Sequence, residues 1–170
     1  LDALVAAAGW SAGALTPLGA LAAWAVGTAI LHGAGWGGGA VLLAFFVGSS
    51  AVGRLGAPRP VSDLDPKGER RDHRQVLANG GAAAAGALLV ADSPAALWLV
   101  AGGLATAAAD TWATAWGASS PTLPRHLLSA RAGPTGTSGG ITALGTGGAG
   151  EGALVTALAG RPWTDGRFVL

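Results

Sequence analysis

The feature that most constrains this chain is a set of apolar blocks, each about 15–24 residues long, the length one helix needs to cross a bilayer. The blocks do not alternate apolar and polar residues, as the strands of a membrane barrel would. Only 11% of the 170 residues are charged, whereas a soluble domain carries about a quarter. Mean hydropathy is +0.48. The chain therefore reads as an all-α polytopic integral membrane bundle of about five to six spans. Its 30 glycines, with many alanines, are expected to serve close helix packing.

Residues 1–8 read as the end of a truncated helix, and 14–31 as the first complete span, with Pro17 near its start. HGAGWGGG at 32–39 is expected to be a turn, and 40–53 a second span. Further spans are expected over 76–91, 95–117 and 138–160, with Asp-Ser-Pro at 92–94 as a turn. Position 1 is not Met, so the 170 residues are expected to form one membrane domain incomplete at both ends. No signal peptide is expected. Cysteine is absent, which removes disulfides and thiolate metal sites.

Charge is concentrated in two loops. Residues 54–75 hold ten of the charged residues, among them Arg54, Arg59, Lys67, Arg70, Arg71 and Arg74. Arg125 and Arg131 fall in 118–137. Two spans separate these loops, so both are expected on one side, and the positive-inside rule makes that side cytoplasmic. Arg161 and Arg167 would then lie on the other side.

Asp110 is the one charged residue of the 95–117 block. A carboxylate at the centre of a span costs about 2.5–3.5 kcal/mol, so it needs a partner or a water-filled cavity. Thr106, Asp110 and Thr114 recur every four residues and form one polar helix face. Trp112 and Trp116 lie on another face and are expected in the interfacial aromatic belt.

Three further groups are expected at the same membrane surface. Arg74, Gln75 and Asn79 open the 76–91 span, and cations with amides at a helix start suit a phosphate. Gly136, Thr137, Ser138, Gly139 and Gly140 form a glycine and hydroxyl turn before the last span, another anion site. Ser49 and Ser50 end the second span and support the site. GTGGAG at 145–150 matches a dinucleotide fingerprint only formally, because no strand precedes it, and is expected to be a packing stripe. His32, His73 and His126 lack the paired spacing of a metal site.

FFVGSS, RRDHRQVLANGG, AAADTWATAWG and PRHLLSARAGPTGTSGG occur in this order. Over roughly residues 10–160 they resemble the membrane family that includes plant phytyl-phosphate kinase and transmembrane protein nineteen, whose bacterial members were long known as a domain of unknown function. The resemblance implies an all-helical membrane protein. For the plant branch it implies phosphoryl transfer from CTP or another nucleoside triphosphate to an isoprenyl phosphate. The matching positions are Gln75, Asn79, Gly80, Asp110, Thr111, Thr114 and Gly136 to Gly140. This chain has Ala115 where the family usually has an acid, and it lacks the family's further C-terminal spans.

The expectation is thus a membrane isoprenyl-phosphate kinase. Asp110 and Thr114 are the expected catalytic residues, with Asp110 holding magnesium. Arg74, Gln75, Asn79 and Gly136 to Gly140 are expected to bind the phosphates. The expected partners are the isoprenyl lipid, the nucleotide and membrane lipid, with no nucleic acid; a homo-oligomer is left open. The alternatives are a transporter or permease subunit with an intramembrane acid, and a purely structural membrane scaffold.

Overall fold

The computed structural model describes residues 2–55 and 70–160. Arg59 and Lys67 of the first basic loop, and Arg161 and Arg167 of the tail, whose charges entered the expected orientation, lie outside the described residues.

Among the described residues five helices make the bundle: α1 (Asp2–Ser11), α2 (Pro17–Leu55), α3 (His73–Leu88), α4 (Leu97–Ala118) and α5 (Ala143–Gly160). Helix α4 is entered through a single 3-10 turn, Pro94–Ala96. Its proline fits because the first turn has no amide partner to lose. Two short strands, β1 (Arg125–His126) and β2 (Gly140–Ile141), pair antiparallel and tie together the loop between α4 and α5. Ile141 faces Arg125 and Gly140 faces His126.

Helix α2 is a hairpin. Gly35 has φ 62° and ψ −157°, a conformation that only glycine adopts without strain. Around it the chain reverses, because a Cβ on Gly27 would stand 3.8 Å from Leu42 Cδ2. In a straight helix those positions would be about 22 Å apart. The turn expected over 32–39 therefore contracts to one residue. The arms on either side, residues 17–34 and 36–55, fall over the two apolar blocks expected at 14–31 and 40–53, with bounds shifted by up to four residues.

The core lies between the arms, α3 and α4: Val26, Ile30, Val41, Phe45, Ala83, Ala87, Val100, Leu104, Ala107 and Ala108 are buried together. Helix α5 packs on α4 with backbone almost touching backbone. A Cβ on Gly148 would be 2.9 Å from the Trp112 carbonyl oxygen, and one on Gly152 2.9 Å from that of Ala108. No larger residue fits there, and this close approach is how small residues hold membrane helices together. GTGGAG lies inside α5 and is part of this contact.

The outside of the bundle is apolar. Leu18, Leu21, Trp24, Leu43, Val47, Leu99, Leu154 and Leu158 are exposed. Such a surface needs lipid rather than water around it. Among the described residues, α2 is the helix long and apolar enough to cross a membrane. Trp112 and Trp116 correct an expectation. Trp112 is buried at 8% exposure, and Trp116 is partly buried beside it. The glycines at 48, 148 and 152 leave the space their rings fill, so they pack the interior instead of forming an interfacial belt.

Candidate functional site

A polar cleft of about 320 Å³ opens at one end of the bundle. The ends of several elements form it: the α1–α2 loop, the C-terminal end of α2, the start of α3 and the last turns of α4. Its polar lining is Ser49, Ser50, Arg54, Arg71, Gln75, Asn79, Asp110, Thr111 and Thr114. Of the residues expected from sequence, Ser49, Ser50, Gln75, Asn79, Asp110 and Thr114 come together here. The resemblance also pointed to Thr111, which lines it too.

Asp110 is exposed to this cleft, and its carboxylate has no hydrogen bond or ion pair among the described residues. The two threonines beside it are already engaged through their protons. Thr111 Oγ1 donates to the Ala107 carbonyl at 2.9 Å, and Thr114 Oγ1 to the Asp110 carbonyl at 2.8 Å. Back-bonding of this kind is the usual fate of a hydroxyl inside a helix. Thr106 does the same with Gly102. Thr106 continues the polar face but does not line the cleft.

Ser49 and Ser50 differ. Ser49 is fully buried, and neither serine's Oγ has a hydrogen-bond partner among the described residues. A buried polar atom without a partner costs about 1–3 kcal/mol. Both serines line the cleft. Their hydroxyls are therefore available to whatever occupies it.

Two arginines supply positive charge. Arg54 ends α2, and its Nη2 donates to the Ala12 carbonyl at 3.3 Å, tying the α1–α2 loop to the cleft. Arg71 is stitched to the same loop by its backbone: Thr16 N–H donates to the Arg71 carbonyl and Arg71 N–H to the Ala14 carbonyl, each at 3.0 Å. Its guanidinium stands 5.9 Å from the ring centres of both Phe45 and Phe46. Sequence reading singled out Arg74, whereas Arg71 is the member of the RRDHR run that lines the cleft. Arg74 is exposed and does not line the cleft. The Leu15–Arg71 bridge that turns Arg71 inward joins residues far apart in the chain, so no local signal marks it.

Gln75 has a second task that sequence reading missed. Asp72 caps α3, accepting from Gln75 N–H at 2.9 Å, while Gln75 Oε1 accepts from Asp72 N–H at 3.2 Å. This reciprocal capping box was legible as Asp-x-x-Gln. It also means that the start of α3 is partly satisfied by its own carboxylate. The start of α3 thus offers the cleft side chains rather than a bare helix terminus. Asn79, one turn on, is partly buried and lines the cleft. Gly80 follows because a Cβ there would meet Val26 Cγ1 at 2.8 Å.

Gly136, Thr137, Ser138, Gly139 and Gly140 do not line the cleft. Their turn closes on itself: Thr137 donates to the Pro134 carbonyl through both N–H and Oγ1, and Gly140 N–H to that of Thr137. Gly136 and Gly139 take φ of 89° and 73°. Helix α5 begins only at Ala143, capped by Thr142, whose Oγ1 accepts from Gly145 N–H at 3.0 Å. The anion site expected at that helix start is thus separated from the turn by β2.

Among the described residues, no three His, Asp or Glu side chains converge on one point. Among the described residues Asp110 is the one carboxylate lining the cleft, and Ala115, buried at 6% exposure, lines it five residues further along α4. No curated protein and no solved structure matches the chain. A family model matches residues 1–167, nearly the whole chain. The chain therefore belongs to the family described as integral membrane protein DUF92.

Proposed function

We propose that the polar cleft is the site of phosphoryl transfer from a nucleoside triphosphate, CTP first among them, to the phosphate of an isoprenyl alcohol. One observation carries this reading: a carboxylate, Asp110, and two serine hydroxyls, all without a partner among the described residues, share a cleft with Arg54 and Arg71. Cations and hydroxyls suit phosphate oxygens, and a lone acid among them suits a cation bridging those oxygens. The resemblance to the phytyl-phosphate kinase family supplies the acceptor class.

In the reaction, an oxygen of the acceptor monophosphate forms a bond to the terminal phosphorus of the triphosphate. The bridging P–O bond to the nucleotide breaks, and the nucleoside diphosphate leaves. The attacking oxygen is already anionic, so no general base is required. The protein's task is to position two repelling anions and to neutralise their charge. Arg54 and Arg71 do the second, while Asn79, Gln75 and the serines orient the oxygens.

Magnesium fits this donor set, because it commonly takes one or two carboxylates and draws its other ligands from phosphate oxygens and water. Asp110 would hold it, and Thr111 and Thr114, their protons engaged with backbone, would offer lone pairs. When bound, the ion neutralises charge on the transferring group. The arginine-rich loops flanking this end favour a cytoplasmic orientation in a multi-pass arrangement, the side where nucleotides are supplied.

The test is transfer of label from γ-labelled CTP or ATP to phytyl or geranylgeranyl monophosphate by the purified chain in nanodiscs. Labelled diphosphate product is expected. If neither nucleotide labels any acceptor, the reading falls. Substrate uptake by proteoliposomes without nucleotide would then favour a transporter.

A further inference from the structure

A second cleft, of about 260 Å³, adjoins the first, and Arg71 and Asn79 line both. Apart from these two and Asp2, its lining is apolar, with Leu15, Val26, Leu42, Phe45 and Phe46 prominent. The Asp2 carboxylate is turned to Thr28 Oγ1, which donates to it at 2.5 Å. The cleft runs between α1 and the arms of the α2 hairpin. Its near end is set by Arg71 over Phe46, and its far end by Trp36 beside the reversal at Gly35. From Phe46 to Trp36 is about 15 Å at helical rise. Trp36 is 65% exposed and would gain cover from whatever fills the cleft.

The shape is that of an amphiphile: a polar mouth with a cation and an amide, and a narrow apolar shaft. The small volume favours one hydrocarbon chain over two. We infer that the shaft seats the chain of a single-chain lipid monophosphate, with its headgroup at Arg71 and Asn79, and that Trp36 limits the chain length accepted. The inference rests on the phosphoryl-transfer reading for the nature of the headgroup. It adds where the chain lies and which residue sets its length. Chain-length discrimination follows from ordinary packing, since an apolar pocket resolves single methylenes by about tenfold or more.

The test uses the full chain in nanodiscs with a geranylgeranyl monophosphate that carries a diazirine on its terminal isoprene unit. Adducts are expected over residues 36–43, suppressed by unlabelled geranylgeranyl monophosphate but not by excess phosphatidate. Trp36→Ala is expected to shift competition toward longer chains by about tenfold relative to geranyl monophosphate. Ala40→Phe, inside the shaft, is expected to weaken the long chain more than the short one. Adducts spread over the lipid-facing surface at Leu154 and Leu158, suppression by phosphatidate, or an unchanged length preference in both variants would overturn the inference. Crosslinking requires no nucleotide, so its failure is distinct from failure of the reaction. Competed adducts without label transfer would overturn the kinase and leave the shaft standing. Label transfer without adducts would do the reverse.

Discussion

The hydroxyl of Thr114 donates to the main-chain carbonyl of Asp110, 2.8 Å away, and so leaves the Asp110 carboxylate without a partner on its own helix. Thr114 can serve a cation through its lone pairs, but it cannot stabilise the carboxylate by donating to it. The two residues should therefore behave differently when changed. Asp110→Asn is expected to lower label transfer by about 10²-fold or more, the scale of a lost metal or charge contact in phosphoryl transfer. Thr114→Val is expected to cost far less, about tenfold. Neither should destabilise the fold by more than about 0.5 kcal/mol, because neither side chain is buried. Transfer assays and thermal unfolding in the same detergent check both halves.

Arg71 and Arg74 stand three residues apart but face different surroundings. Arg71 lines both clefts, while Arg74 lines neither. Arg71→Ala is expected to lower kcat/KM by about tenfold or more, in the range of a lost charge-assisted hydrogen bond. Arg74→Ala should stay within about threefold. Steady-state kinetics on the two variants decide the assignment, and equal losses would place the phosphate outside this cleft.

The contact between α4 and α5 predicts opposite outcomes for two neighbouring glycines. Gly148→Leu must push against the Trp112 carbonyl and the Trp116 ring. It is expected to destabilise the bundle by about 1–3 kcal/mol or more, the cost of overpacking. Gly150 has nothing within 4 Å of the position a Cβ would take. Gly150→Ala is expected to be neutral or to stabilise by up to about 1 kcal/mol, through helix propensity. Midpoints of thermal unfolding measure both.

Ala115 lies buried in the cleft wall where the resembling family usually carries an acid. Ala115→Asp is expected to lower stability in chelator, because a carboxylate is then buried beside Asp110. Adding magnesium should recover it, by about 1–3 kcal/mol more than in the unchanged chain, as binding to the folded state alone requires. Unfolding midpoints with and without magnesium give the answer. An equal response in both chains would argue against a metal at this wall.

The sequence by itself determined the material and the punctuation of this protein. Uncharged blocks of span length specify membrane helices, because lipid leaves backbone groups no partner but their own helix. Gly35 could be read as lying in a turn, and the Gly-rich run at 145–150 as packing, since both follow from local sterics. Asp110 was legible as a site residue because an acid in such a block needs a reason. Tertiary structure decided what meets what. It turned Arg71 inward and left Arg74 out, through backbone pairing with a loop more than fifty residues earlier in the chain. It drew the tryptophans into the bundle against glycines from two other segments, whereas the Gln75 cap of α3 and the closed Gly136–Gly140 turn are local contacts made three residues apart. The inward Arg71 and the buried tryptophans depend on contacts between distant segments, and side-chain chemistry read one helix at a time carries no information about them.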